Sequence, residues 1–339
     1  MKAVVLEKPG LLRNARTDAP ADLPQGCALV RVGRVGVCGT DWHAYRGQQP
    51  FFSYPRILGH ELGVVVERVN DPQSVLKPGD RCAVEPYLNC GQCVACRHDK
   101  PNCCANLKVM GVHVDGGMRE RIVTPARKLH RSATLSLDEL ALVEPLGIGC
   151  HAVERANVVP GEWVLVIGAG PIGLSVIPFA MAAGAQVVAM DIDSRRLEFC
   201  RSSLGVRNTI DAGEGDPAAS LKKLTGDDLP TCVIDATGNA RSMARCFELA
   251  AHGGRIVFVG LFQGDLTFND PNFHRRELTL LASRNSRPAD FDRIIAMMER
   301  GQIDAKPWIT HRVGFDRLVE EFPQWLAPDS GVIKAMIEL

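Results

Sequence analysis

The run VLVIGAGPIGL, residues 164 to 174, decides how this chain is read. Val164 to Ile167 are four aliphatic residues in succession, the character of a parallel strand buried on both faces. Gly168, Gly170 and Gly173, with Pro171 and Ile172 between the last two, give the G-x-G-x-x-G spacing that opens a helix beneath a dinucleotide pyrophosphate. Gly168 permits the tight turn, Gly170 lets the backbone approach the phosphates, and Gly173 lets the helix pack on the strand. The helix N-terminus then offers free N–H groups to the anion. An apolar helix is predicted through Ala183, with Gly184 ending it. The next apolar run, VVAMD, ends at Asp191, about 20 residues past the fingerprint, where a carboxylate can accept from a ribose 2′-hydroxyl. The same charge repels a 2′-phosphate, so NAD is expected rather than NADP. Arg195 and Arg196 are open to two readings: a solvated first helical turn, or the Arg196 guanidinium stacked on the adenine.

The totals narrow the setting. At 339 residues, with 46% hydrophobic and 23% charged residues, the composition is that of a soluble globular protein of about two domains. Equal numbers of basic and acidic residues, 39 each, leave no net charge and argue against nucleic-acid binding and against a polybasic membrane patch. No apolar run reaches the roughly 20 residues that cross a bilayer. The opening MKAVVLEKPG has no secretory core, because charge returns at Glu7. A cytoplasmic location is therefore expected, and there clustered thiols are more often metal ligands than disulfides.

Of the 12 cysteines, five lie between Cys90 and Cys104. Cys90, Cys93, Cys96 and Cys104 form two overlapping C-x-x-C steps and a returning fourth thiol. A four-thiolate zinc has no open coordination position and is structural. Cys103 competes for the fourth place. Upstream, KAVVL, CALVRVGRVGV and GVVVERV are short β-like runs broken by Gly and Pro, which predicts a small, partly barrel-like antiparallel domain. Within it, VCGTDWH places Cys38, Thr40, Asp41 and His43 after a strand, with a short helical turn from Thr40. LGHELG brings His60 and Glu61 some twenty residues later. A thiolate and an imidazole from separate loops are donors that zinc selects. Taken singly, Cys38 is equally a small buried hydrophobe, and His60 and Glu61 a surface turn.

Beyond Val153 strands and helices alternate: VLVIG, QVVAMD, VIDATG and IVFVGL are separated by RRLEFCRSSLG and ARSMARCFELAA. This predicts a doubly wound parallel sheet. Strand carboxyl ends in such sheets carry cofactor contacts, which nominates Thr237, Gly238 and Val259, Gly260 and Leu261, although plain turns fit these positions as well. LTLLASRN brings Ser283, Arg284 and Asn285 to another strand end, and its apolar run predicts a buried location for Arg284. A helix over DFDRIIAMMERG, a further helix after Pro307 and a final strand GVIKAMIEL complete the chain.

These motifs, in order the Cys-Gly-Thr-Asp segment, Gly-His-Glu, the four-cysteine lobe, LVEPLGIGCHAV and the nucleotide fingerprint, resemble the zinc-containing medium-chain dehydrogenases over essentially the whole length. The chain looks like their polyol (sorbitol) dehydrogenase branch. It is most similar to bacterial sugar-acid dehydrogenases that oxidise L-galactonate or L-gulonate at carbon 5, through GQQPFFSYPRILGHE, GVHVDGG, HGGRIVFVGLFQG and FHRREL with LASRN. The resemblance implies an α/β fold of two domains. Residues 1–150 and 286–339 would form a GroES-like, partly barrel-shaped β domain with the structural zinc lobe at about 88–106. Residues 151–285 would form an inserted Rossmann NAD-binding domain.

It also implies roles. Cys38 and His60 would bind a catalytic zinc, and Glu61 and Glu144 would complete its protein coordination directly or through water. Cys150 is the rival to Glu144 but falls within the following helix. Arg284 would lie near the nicotinamide and substrate. The expected reaction is oxidation of a secondary alcohol of a sugar acid by hydride transfer to NAD, with zinc as Lewis acid and the proton leaving by Thr40 and the cofactor ribose to His43. A carboxylate substrate calls for a cation, with Arg46 and Arg284 as candidates and His113 and Asn285 as hydrogen-bonding partners. Homo-oligomers, dimers or tetramers, are expected by the same analogy. The alternatives are a dehydrogenase of neutral polyols such as sorbitol, xylitol or galactitol, and a non-enzymatic NAD-binding zinc assembly protein that needs only the four-cysteine lobe. A zinc-free quinone reductase is a weaker reading, because that branch generally lacks these ligands. One departure stands out: the family glycine four residues after His60 is Val64 here, with Gly63 one place early, so the local turn or sheet packing is expected to differ.

Overall fold

The structure, a computed structural model, describes residues 1–50, 52–327 and 329–339; Phe51, within GQQPFFSYPRILGHE, and Pro328 lie outside the described residues. The chain divides into two compact units, Met1–Glu144 with Arg287–Leu339, and Pro145–Ser286. The expected boundary at 150/151 falls inside the helix Val143–Ala156. The chain leaves the first unit early in that continuous helix, so no linker composition marks the passage. The return lies after Ser286 rather than 285.

In the first unit the strand Cys27–Val37 is central. It pairs antiparallel with Glu61–Asn70, with Arg121–Pro125 and with the last strand, Lys334–Glu338. The sheet runs Leu129–Ser132, Arg81–Val84, Glu61–Asn70, Cys27–Val37, Lys334–Glu338 and Ile309–Gly314 in spatial order. Its last pair is parallel, the exception to the antiparallel expectation. Val30, Val32, Val35, Leu62, Val64 and Ile337 from these strands share one apolar core with Val4 and Leu6 of the separate sheet led by Lys2–Lys8. Burial of such β-branched side chains on a pleated surface is what makes these segments strands.

Val64 sits in this core with no exposure, in regular register with Val32 and Cys82. Gly63 is the residue that must lack a side chain, because a Cβ there would meet the Leu137 carbonyl oxygen at 2.1 Å. The pairing with Cys27–Val37 slips between Val32 and Arg34, opposite this point. After Pro307, a 3-10 turn Phe315–Arg317 and the single helical turn Leu318–Glu321 stand where a full helix was expected. The segment is cut short by Pro323.

The second unit holds, among the described residues, a six-stranded parallel sheet. Its spatial order is Asn208–Asp211, Gln186–Asp191, Trp163–Ile167, Cys232–Asp235, Arg255–Phe258 and Thr279–Ala282. Parallel pairing demands crossover connections, here the helices Pro171–Ala182, Ser194–Leu204, Pro217–Thr225 and Ala240–Leu249. Thr279–Ala282 is the edge strand and mostly exposed, and Arg284 beyond it is exposed too. This corrects the expected burial of Arg284: Ser283 and Ser286 on either side of it are buried, and the arginine alone is exposed.

Asp138 ties three parts of the first unit together. Its carboxylate accepts from Arg34 Nε at 2.6 Å and from an Arg312 terminal nitrogen at 2.8 Å, joining the helix Leu137–Ala141 to the central strand and to the returning segment. Burial alone would raise its pKa, but the two guanidinium groups outweigh burial and hold it below the ordinary carboxylate value. The stabilisation is present above the unfolded value of about 3.9 and is lost as pH falls through the lower folded value. Asp138→Asn should therefore cost about 1 kcal/mol at neutral pH, measured by urea unfolding. The gap from the parent should narrow below about pH 4; a gap independent of pH would show that the contact is not ionic.

Candidate metal centres and nucleotide site

Cys38 is the residue at which the central strand turns into the helix Gly39–Tyr45. Its extended backbone is fixed by its own N–H, which donates to Asp41 Oδ2 at 2.9 Å. Asp41 is buried, and its other oxygen lies 3.4 Å from Gly59 N and 3.9 Å from His60 Nδ1. One carboxylate thus holds the Cys38 and His60 segments together. Glu61 opens the strand Glu61–Asn70, opposite Gly36. A Cβ at Gly36 would fall 2.1 Å from Glu61 Oε2, so this glycine makes the room into which the carboxylate folds.

The result is a cluster in which one ligand atom each from Cys38, His60 and Glu61 lies within 4.8 Å of the others. One sulfur, one imidazole and one carboxylate form a borderline-soft donor set that fits zinc and leaves a fourth position for an exogenous oxygen. Burial opposes a charge on His60, but neighbouring Cys38, Asp41 and Glu144 outweigh it and hold the imidazole pKa well above its ordinary value. Glu144, in the first turn of Val143–Ala156, is buried and accepts from Tyr87 OH. It is outside the group of three yet felt by both His60 and Glu61, and burial raises its pKa. Cys150 is buried farther along the same helix.

The second cluster is the four-cysteine lobe. Cys90, Cys93, Cys96 and Cys104 offer sulfurs all within 4.8 Å, while Cys103 is exposed and outside the group. Backbone N–H groups of Cys96 and Ala105 point at Cys93 and lower its thiol to about 6, so a thiolate is ready for metal at neutral pH. Cys90 N donates to Cys104 Sγ at 3.3 Å, and Asn89 Nδ2 lies 3.7 Å from Cys96 Sγ. These donors fit a closed, four-sulfur zinc.

In the second unit, Gly168 has φ 91° and a Cβ at Gly173 would collide with the Gly168 carbonyl oxygen at 1.6 Å. At Gly170 the space is open, with only an Arg196 nitrogen at 3.7 Å. The helix begins at Pro171 with no side-chain cap, leaving the N–H groups of Ile172 and Gly173 for an anion. Asp191 ends its strand with one oxygen accepting from Ala169 N at 2.5 Å and the other from Asp193 N at 2.9 Å. Its carboxylate is thus fixed beside the glycine turn. Thr237 bonds Asp235 through its N–H and its hydroxyl, and Gly260 packs against Gly238 so closely that a Cβ would lie 2.2 Å from Gly238 N. Val259 N donates to Asp235 O, and Leu261 is exposed.

Residues 24–134 match the alcohol dehydrogenase GroES-like domain, and residues 171–300 match the zinc-binding dehydrogenase family. The L-galactonate-5-dehydrogenase of Escherichia coli K12 is 43% identical over 310 residues, 91% of each chain. The chain belongs to the zinc-binding dehydrogenases. The 2-dehydro-3-deoxy-L-galactonate 5-dehydrogenase of Pseudoalteromonas atlantica is 34% identical over 86% of each chain. An Escherichia coli CFT073 alcohol dehydrogenase solved with the cofactor NADH superposes with a TM-score of 0.92 at 29% identity, covering 100% of this chain and 99% of that one.

The candidate substrate residues of this dehydrogenase are less concentrated than its candidate metal ligands. Arg46 caps the Gly39–Tyr45 helix, is exposed, and donates to Leu326 O at 3.1 Å. His113 accepts from Val109 N through Nδ1. Asn285 has φ 54°, and its Nδ2 is buried without a hydrogen-bond partner among the described residues, as is Ser283 Oγ. Thr40 is half-buried and His43 exposed on the helix that begins after Cys38. Three residues that the site depends on carried no motif: Tyr87, Gly36 and Lys334, whose ammonium pairs with Glu61. Gly36 stands in an apolar run where a strand glycine signals close approach, the one sequence hint available.

Metal content separates the two clusters. The parent should bind about two zinc ions per chain, Cys38→Ala about one, with folding retained; Cys93→Ser should lose the other and lower the melting temperature. Elemental analysis after gel filtration gives the counts. Retention of both ions by Cys38→Ala would remove Cys38 from the metal site.

Proposed function

We propose that this protein is an NAD-dependent zinc dehydrogenase that oxidises a secondary alcohol of a sugar acid of the L-galactonate or L-gulonate type. The observation that carries the reading is the convergence of Cys38, His60 and Glu61 at one open donor cluster. The 43% identity to an L-galactonate-5-dehydrogenase supports the substrate class. In this reading Cys38, His60 and Glu61, with Glu144 directly or through water, hold the catalytic zinc, and Cys90, Cys93, Cys96 and Cys104 hold the structural one. Gly168, Gly170, Pro171, Ile172, Gly173 and Asp191 hold NAD, with Arg196, Thr237, Val259, Gly260, Leu261, Ser283 and Arg284 around it. Zinc and NAD, when bound, supply Lewis-acid activation of the alcohol and acceptance of the hydride.

The chain's own residues do the rest. Thr40 offers a hydroxyl on the turn after Cys38, and His43, three residues on and exposed, can exchange a proton with water. Arg46, His113, Arg284 and Asn285 are the proposed substrate contacts. The location proposed is cytoplasmic; no helix among the described residues is long and apolar enough to cross a membrane. Assembly as a homodimer or tetramer is proposed on the edge strand Thr279–Ala282, which leaves Leu280 exposed.

NAD reduction should be detectable with L-galactonate or L-gulonate, and kcat/KM should exceed that for sorbitol, xylitol or galactitol. Equal or higher activity on the neutral polyols would make the protein a polyol dehydrogenase instead. Asp191→Ala should raise KM for NAD by about ten-fold or more and narrow its preference over NADP, since both the ribose bond and the repulsion are removed. His43→Ala should slow turnover by about ten-fold, most at low pH, with partial rescue by added imidazole; an unchanged pH profile would take His43 out of the proton path.

A further inference from the structure

Lys334 lies on the last strand, Lys334–Glu338, far in sequence from every metal-ligand candidate, and its side chain is 1% exposed. Its ammonium donates to both oxygens of Glu61, at 2.5 and 2.7 Å, and to Val37 O at 3.2 Å, the carbonyl just before Cys38. Strand pairing fixes this position: Ala335 is opposite Val37, and Gly36, without a side chain, leaves space for the Glu61 carboxylate. A cation held on both oxygens of one ligand carboxylate, within the field of a second ligand, has a definite effect on any metal ion placed there. It repels the ion, and it occupies the lone pairs that the ion needs.

We propose that Lys334 competes with the catalytic metal for Glu61 and thereby keeps that metal weakly held and its coordination exchangeable. The inference rests on the assignment of Cys38, His60 and Glu61 as the metal site. Lys334 is a positioning residue: it acts on the metal through Glu61. The sign comes from thermodynamics. The Lys334–Glu61 pair stabilises the protein without metal, and the ammonium destabilises the loaded form, so both effects weaken binding. Removing the charge leaves Glu61 a buried carboxylate whose available compensation is the metal itself.

The test is zinc release from loaded enzyme to a chromogenic chelator, monitored by stopped flow, for the parent, Lys334→Met, Lys334→Arg and Cys38→Ala. The phase missing in Cys38→Ala belongs to the catalytic site. Lys334→Met should slow that phase by about ten-fold or more and leave the four-cysteine phase unchanged. Lys334→Arg, which keeps the charge, should release at close to the parental rate. Melting temperatures supply a second readout: Lys334→Met should lose more stability with the catalytic zinc stripped than with it bound. Faster or unchanged release from Lys334→Met, or equal loss of stability in the two states, overturns the proposal. Lys334→Gln makes the same comparison if the methionine variant does not fold. A Cys38→Ala protein that retains both phases overturns the metal-site assignment instead, so the two failures are distinct.

Discussion

Five ionisable side chains, Asp41, His60, Glu61, Glu144 and Lys334, are buried around the end of the strand Cys27–Val37. A protein interior tolerates such groups only where each is bonded or paired. Here Asp41 takes backbone N–H groups from Cys38 and Gly59, Glu61 takes Lys334 and Glu144 takes Tyr87, while His60 lies beside Cys38 and Asp41 with its Nδ1 unpartnered among the described residues. The partners come from residues 38 to 334, so the site exists only when the first unit has folded with its returning segment in place. That dependence explains why the chain's last strand is inserted beside its central one rather than at the edge of the sheet.

The two metal clusters use their surroundings in opposite ways. In the lobe, four sulfurs are gathered within a short stretch and bonded by nearby backbone, a donor set that fits a closed, structural centre. Around Cys38 the donors are mixed, come from separate segments and are surrounded by buried carboxylates that already have partners of their own. This is the arrangement that suits an ion with an exchangeable position. The glycine turn and Asp191 lie bonded to one another at the carboxyl end of the parallel sheet, where such folds bind ligands.

The sequence was most informative where chemistry is local. The glycine spacing at 168–173, the thiol spacing at 90–104 and the alternating strands of the second unit each reflect contacts made within a few dozen residues. Ligand pairs brought together by strand register were harder to read. Lys334 looks like any lysine near a C-terminus, and only the pairing of its strand with Cys27–Val37 carries it to Glu61. Tyr87 and Gly36 were missed for the same reason. Arg284 was misplaced because an edge strand and a central parallel strand can share one apolar pattern. The passage between the units falls inside a helix, which has no compositional signal for that point.

The proposed chemistry requires one open zinc site with a single sulfur ligand and a separate closed site with four. X-ray absorption at the zinc edge of the purified, fully loaded protein measures this most directly. The predicted spectrum averages about 2.5 sulfurs per zinc, the mean of one and four, with lighter N/O donors making up the remainder. An average of about four sulfurs at full loading would contradict the mixed Cys38–His60–Glu61 centre, and with it the assignment of this cluster to catalysis.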